Sequence, residues 1–374
     1  MRQIYLDYNA STPIAPPVQA VMAELLDNSF GNPSSLHWAG QPAMQHLTRA
    51  RAQVARLLGA QDHEIVFTSG GSEANNQVIK GVFFARYPKP VHIITCTTEH
   101  PSVLATCAFV ERLGARITRL PVDGFGRFDP DDLREAITSD TALITLMHAN
   151  NETGTLHPIE AGAAIARQHG IPFHTDAAQS VGKLATSVRD LGVDFLSIAG
   201  QKIYAPKGIG VLYMRAGQQI ESLIHGAGHE QGRRAGTESA LLAAALGAAC
   251  EYISDLEPMD RVRSLRDRFE RALTSALGNQ AVVNGHPVER LANTLSVSFP
   301  GRISQDLLTG LEGIAASAGS ACHSGVVELS GVLKAMGVSP HTGMGTIRFS
   351  LGRLTSDAEI DEAQERIIDL INRS

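Results

Sequence analysis

The chain has 374 residues, 43% hydrophobic and 19% charged, with a formal net charge of −6. That length exceeds one small core and predicts two domains, one of them large, and the composition is that of an ordinary globular protein. The mild acidity, the lack of a basic run and the lack of a long apolar run disfavour nucleic acid or a membrane as the main ligand.

In chain order, the first residues, Met1-Arg2-Gln3-Ile4-Tyr5-Leu6-Asp7, lack the charged and apolar regions of a secretion signal. From about residue 64 to 214, apolar β-rich runs alternate with helical stretches. The predicted strands are 64–69, 91–96, 116–121, 143–148, 172–176, 195–198 and 210–214. Between them lie amphipathic stretches such as 159–169, with Ile159, Ala163 and Ala166 on one face. This alternation predicts an α/β fold with a mostly parallel sheet between helices, whose ligands sit at the carboxyl ends of the strands. Around 255–260 the alternation stops. Beyond it, 261–277 reads as a helix, 292–299 as a half-exposed strand, 347–350 as a short strand and 358–372 as a closing amphipathic helix. The expected division is a large α/β domain over 14–256 and a smaller α+β domain built from 1–13 and 257–374.

The chemistry-bearing residues fall at predicted strand ends. Thr68-Ser69-Gly70-Gly71-Ser72-Glu73-Ala74-Asn75 leads from a strand into a helix. Its Gly71 backbone and Ser72 hydroxyl suit a phosphate, and Ser72 equally suits a plain helix cap. His100, just past a strand, is placed to stack on a ring or move protons, although a lone histidine is commonly an ordinary surface or core residue. In Asn150-Asn151-Glu152-Thr153-Gly154 most positions read as a turn, and Asn151 is the amide best suited to a cofactor's phenolic oxygen. The strand ending Phe173-His174-Thr175-Asp176 delivers a carboxylate, and the strand before Gly200-Gln201-Lys202 delivers an amine. That pair suits pyridoxal 5'-phosphate (PLP), which needs a lysine for its Schiff base and an acid beside its ring nitrogen.

Further along, Gly226 to Glu238 is a glycine-rich loop with Arg233, Arg234 and Thr237, readable as a solvated surface loop or as a reach toward an anion in a neighbouring subunit. The four cysteines, Cys96, Cys107, Cys250 and Cys322, form no Cys-x-x-Cys pair. A zinc site or disulfide framework is therefore not expected, and the scatter fits a reducing cytoplasm. Three of them read as packing residues. Cys322 differs, because Ala316-Ser317-Ala318-Gly319-Ser320-Ala321 before it are all small, which favours an exposed sulfur beside His323. Arg348, in a predicted strand, suits a substrate carboxylate or an ordinary ion pair equally.

Taken together, these segments, with Tyr5-Leu6-Asp7, Ala10-Ser11-Thr12-Pro13 and Asn32-Pro33-Ser34-Ser35-Leu36-His37, make the chain closely resemble the cysteine desulfurases. These are class V aminotransferases with the fold-type-I PLP enzyme architecture, and the likeness is to the branch serving iron–sulfur assembly and tRNA thiolation. The resemblance implies Lys202 as the Schiff-base lysine, Asp176 on the pyridine nitrogen, Gln179 and Asn151 near the ring oxygen, and His100 as the stacking acid/base. It implies Gly71 and Ser72 in the phosphate cup, Thr237 donated across a homodimer, and Arg348 with Asn32 nearby on the substrate carboxylate. It implies Cys322 as the nucleophile that takes sulfur from L-cysteine as a persulfide, releasing L-alanine, and hands it to an acceptor protein. The chain departs from the family pattern twice. Gln201 stands where a histidine normally precedes the lysine, and Ala199 stands where a serine is usual, so weaker or rearranged phosphate anchoring is expected. A selenocysteine lyase, a keto-acid-dependent aminotransferase and a poorly active sulfur-relay protein are the alternatives on the same scaffold.

Overall fold

Seven strands form the central sheet of a computed structural model that describes residues 2–323 and 326–373, with the backbone alone at 320–323, 326 and 327. Their spatial order is Ile65–Thr68, Gly210–Met214, Phe195–Ala199, Phe173–Asp176, Thr141–Thr145, His92–Cys96 and Arg116–Leu120. The pairs from Phe195–Ala199 through Arg116–Leu120 are parallel, and Gly210–Met214 runs antiparallel to both of its neighbours. The mostly parallel sheet read from the alternation is thus present, with one reversed strand.

Six of these strands are buried along their length, which requires cover on both faces. Within His92–Cys96 the two-residue period sends Ile94 into a core shared with helices Gly40–Leu58 and Ala240–Ile253. It sends Ile93 into another core shared with Gly71–Arg86 and Pro101–Arg112. The outer strand Arg116–Leu120 is largely polar and part-exposed, and its arginines blunt an open edge. The helix expected over 159–169 is Ile159–Gln168, buried on Ile159, Ala163 and Ala166 and also on Gly162 and Ile165. The strand expected over 143–148 is instead Thr141–Thr145. Past Thr145 the backbone keeps strand-side bonds only to Phe173–Asp176, Leu146 N to His174 O at 3.0 Å and His148 N to Asp176 O at 2.9 Å, while Met147 N turns to the Glu99 side chain at 2.7 Å. There it leaves the ladder to form a cavity wall.

A second, antiparallel sheet orders Ser317–Ala318, Thr346–Ser350, Thr294–Ser298 and Val282–Asn284. Helices Glu257–Leu277 and Asp357–Arg373 cover it, burying Val262, Leu265, Phe269 and Leu273 from one and Ile360, Ala363, Ile367 and Ile371 from the other. These spacings of three and four are the helical repeat. The strand expected to be half-exposed is wholly buried over Thr294–Ser298. Leu295 and Val297 enter the core, while the polar face is hydrogen-bonded within the protein: Asn284 Nδ2 donates to Ser298 Oγ at 2.8 Å and Asn9 Nδ2 to Thr294 Oγ1 at 2.8 Å. Alternation announces two different faces, and here the polar face meets protein in place of water.

Candidate active site

Five strand ends open onto one cavity of about 620 Å³. It is lined by Gly71 and Ser72 after Ile65–Thr68, His100 after His92–Cys96, Asn151 after Thr141–Thr145, Asp176 and Gln179 after Phe173–Asp176, and Gln201 and Lys202 after Phe195–Ala199. Arg348, from the second sheet, closes the remaining side. Ligands in parallel sheets bind at this end because strands stop and helices begin there.

Helix Gly71–Arg86 points its first turn into the cavity. Ala74 N, which bonds Gly70 O at 3.2 Å, is the first donor satisfied within the helix. The N–H groups before it are the ones a helix leaves for an anion. A Cβ at Gly71 would come 3.3 Å from Ala199 Cβ, and one at Gly210 would lie 2.6 Å from Gly70 Cα. Both glycines therefore let the phosphate-sized turn sit directly on the sheet. Glu73 fastens this turn, accepting from Ser69 N at 2.8 Å and from Arg234 Nε at 2.9 Å. Despite its burial, those bonds hold its carboxyl below the usual range.

Asp176 is buried and hydrogen-bonded on both oxygens, by Asn75 Nδ2 at 2.7 Å and by Ala178 N at 2.9 Å. Asn75 also donates to Ser102 Oγ at 2.9 Å, and Ser102 pairs with His100 Nδ1 at 2.8 Å. Because Ser102 N donates to His100 Nδ1 at 3.1 Å, a neutral His100 carries its proton on Nε2. The protein packed around His100, more than its charged neighbours, holds the imidazole below its ordinary value.

Lys202 Nζ donates to the carbonyls of Asn9 at 2.7 Å and Ala10 at 2.6 Å. Its pKa is lowered to about 8, first by burial and then by the Arg348 cation, against the opposing pull of Asp7 and Asp176. Arg348 is buried and donates to Asn151 O at 3.0 Å, Ser317 Oγ at 2.7 Å and Asp7 Oδ1 at 2.8 Å, with no partner for Nε among the described residues. It is neither a surface ion pair nor a bare clamp, since an internal carboxylate already engages one edge.

Two sequence-predicted residues, Asn32 and Thr237, are not in the cavity lining. Asn32 is exposed and accepts from Ser34 N at 2.9 Å in a local turn. Thr237 lies with Ser69, Gly208 and Arg234 around a neighbouring depression of about 190 Å³. The side chain of Cys322 lies outside the described residues. The other three cysteines are buried, as expected of packing residues. Burial, with Glu99 next in effect, pushes the Cys96 thiol up to about 11 and the Cys107 thiol up to about 12, and burial first, then Glu251, pushes Cys250 up to about 12.

Sequence reasoning missed Asn75, Ser102, Asp7, Lys183 and above all Asn9. The backbone carbonyl of Asn9 receives Lys202 and Gln179, and its side chain bonds Thr294, Asn293, Asn151 and Lys183. Asn75 was legible in part, three residues after Ser72 on the same helix. Nothing in the segment around Asn9 marks it as a hub.

Residues 4–362 match the family model described as aminotransferase class-V. A curated protein of Dictyoglomus turgidum named "Cysteine desulfurase IscS" is 44% identical over 375 residues, covering 98% of this chain and 95% of its own. Among solved structures, a "NifS-like protein" superposes with a TM-score of 0.94 at 32% identity, covering 100% of both chains. A structure titled "SspA in complex with cysteine" superposes with a TM-score of 0.84 at 38% identity, covering 94% of this chain and 100% of that one.

Proposed function

The chain belongs to the class-V aminotransferase family, and from that premise we propose that it is a PLP-dependent cysteine desulfurase, converting L-cysteine to L-alanine with a persulfide on Cys322. The observation that carries this reading is the convergence of Lys202, Asp176, His100, Arg348 and a helix N-terminus on one cavity. The relatives bear the name cysteine desulfurase, so the selenocysteine lyase and sulfur-relay alternatives are not favoured.

The residues present fit the cofactor. The first turn of Gly71–Arg86, with Ser72 and the space a Cβ at Gly71 would fill, suits the phosphate. Asp176, held from both sides, suits the pyridine nitrogen, while Gln179 and Asn151 suit the ring oxygen and His100 the ring face. Bound there, PLP supplies an aldehyde for an amine and a ring that accepts electrons from the substrate's Cα.

The protein's own groups do the rest. Lys202, with its lowered pKa, offers a neutral amine to capture the aldehyde and then to take the Cα proton at Nζ. Arg348 suits the substrate carboxylate, which would take the place of internal acceptors among Asp7, Ser317 and Asn151 O. The Cys322 thiolate attacks the substrate sulfur, so that an S–S bond forms as the substrate's Cβ–S bond breaks toward carbon.

Four finer points belong to the same reading. The enzyme is a homodimer in which Thr237 serves the partner's cofactor; Phe30, Leu36 and Trp38, 79%, 95% and 76% exposed, supply apolar surface for that contact. The persulfide passes to a sulfur-acceptor protein, for iron–sulfur cluster assembly or tRNA thiolation. The division into 14–256 and 1–13 with 257–374 is supported by separate cores, although Tyr8 packs in the first. The protein works in the cytoplasm, a reading supported by its scattered cysteines; no helix among the described residues is long and apolar enough to cross a membrane.

The direct test incubates PLP-loaded protein with L-cysteine and measures alanine, sulfide and the mass of Cys322. Stoichiometric alanine with about 32 Da added to Cys322 and removed again by a thiol reductant, as a persulfide's sulfur is and a sulfinic acid's oxygens are not, supports the reading, and alanine without that adduct sinks the role of that cysteine. Phosphate anchoring gives a second expected result. Ala199 lines the cavity against Gly71 and offers no donor, whereas Gln201 keeps an amide. The double variant Ala199→Ser, Gln201→His is expected to bind PLP about 3- to 10-fold more tightly, as one or two added hydrogen bonds allow. Equal dissociation constants by fluorescence titration refute that expectation.

A further inference from the structure

Lys183 plays no part in the proposed chemistry, yet its amine is buried beside it. Nζ donates to Gln179 Oε1 at 2.7 Å and to Asn9 Oδ1 at 3.1 Å. Burial, and then the positive charges of Lys202 and Arg348, hold this amine well below the ordinary lysine range. Both oxygens are acceptors, so N–H groups of this amine are spent on Gln179 and Asn9.

The consequence falls on Gln179. The two ends of a glutamine amide have almost the same shape and opposite hydrogen-bonding character, so neighbours decide which end faces where. Lys183 directs an N–H at Gln179 Oε1, which places the amide oxygen on the Lys183 side. Nε2 then points the other way, donating at 2.9 Å to Asn9 O, the same carbonyl that takes Lys202 Nζ at 2.7 Å. Asn9 is oriented by the same device: Oδ1 receives Lys183 and Asn293, while Nδ2 faces Thr294 Oγ1 and Asn151 O.

We infer that Lys183 is a positioning residue that keeps the Gln179 Nε2 donor, and not the amide oxygen, turned toward Lys202 and the cofactor it captures. This rests on the PLP reading above. A donor at the cofactor's phenolic oxygen stabilises the anionic form, whereas an amide oxygen there would repel it.

The test is a pH titration of the visible absorbance of purified, PLP-loaded protein. Lys183→Met is expected to raise the midpoint by about one pH unit, a tenfold change. Gln179→Ala is expected to raise it by a similar amount, and the double variant by no more than either alone. A through-space charge effect of Lys183 would survive in the Gln179→Ala background, and shifts that add overturn the inference. So does a Lys183→Met titration that matches the unaltered protein. Should Lys183→Met fail to fold, Lys183→Gln decides, since its amide keeps a donor for Gln179. A midpoint near that of the unaltered protein supports the inference, and one displaced as far as that of Gln179→Ala overturns it. Unaltered protein that takes up PLP without a titrating visible band sinks the cofactor reading instead.

Discussion

Lys202→Ala is expected to abolish borohydride-trappable PLP and to lower cysteine turnover by on the order of 10³-fold or more. The amine acts twice, once in capturing the aldehyde and once in moving the Cα proton, and no neighbour replaces both roles. Lys183 is the nearest rival by burial, but both of its hydrogen bonds run to Gln179 and Asn9. Lys207 also lines the cavity and is exposed at its rim. Peptide mapping after borohydride treatment separates the three, and label on Lys183 or Lys207 in the unaltered protein contradicts the assignment. The pH dependence has a definite sign. Capture needs the neutral amine, and the Lys202 pKa of about 8 places that form above pH 8. The rate of PLP capture by cofactor-free protein should fall about tenfold per pH unit below 8. At pH 7 it should exceed that of an ordinary lysine by roughly 300-fold in neutral amine. A rate that is flat from pH 6 to 8 contradicts the lowered pKa.

Cys322→Ala should leave the visible absorbance of the loaded protein intact while lowering sulfide release from cysteine by at least about 10²-fold. This follows from elimination as well as from resemblance. Cys96, Cys107 and Cys250 are buried, with thiols raised to about 11, 12 and 12, so none supplies a thiolate near neutrality. The backbone of Cys322 lies in the strand Ser320–His323, paired antiparallel with Val326–Leu329 across from Val327. This arm leads to Ser330, whose hydroxyl donates to Glu152 in the loop that also carries Asn151. Alkylation of the native protein with iodoacetamide should modify one thiol rapidly, at Cys322. Full turnover in Cys322→Ala removes the residue from the reaction.

Much of this site is legible in the sequence. Asp176 and Lys202 stand out because a carboxylate and an amine each end an apolar β run, and a parallel sheet brings such ends to one edge. Gly71 and Ser72 are legible for a similar reason, since a strand-to-helix turn rich in glycine presents backbone N–H groups. Arg348 was ambiguous: its strand was predicted, but whether it met solvent, Asp7 or a cavity was not a property of that strand. The same gap explains Thr294–Ser298. Alternation correctly marked a strand with two unlike faces, but exposure of the polar face depended on what packed against it.

The sequence by itself determined the α/β order, the strand ends that bear Asp176 and Lys202, and the family, because periodicity and local motifs depend on residues a few positions apart. Only the tertiary structure decided that Asn9 receives Lys202, that Asn75 holds Asp176, that Asp7 engages Arg348 and that Lys183 orients Gln179. Except for the last, these hydrogen bonds join residues about 100 to 340 positions apart. A side-chain donor carries no local mark of its distant acceptor. Its partner is set when two cores and the chain's first residues pack together, and only then does burial force each polar group to be satisfied.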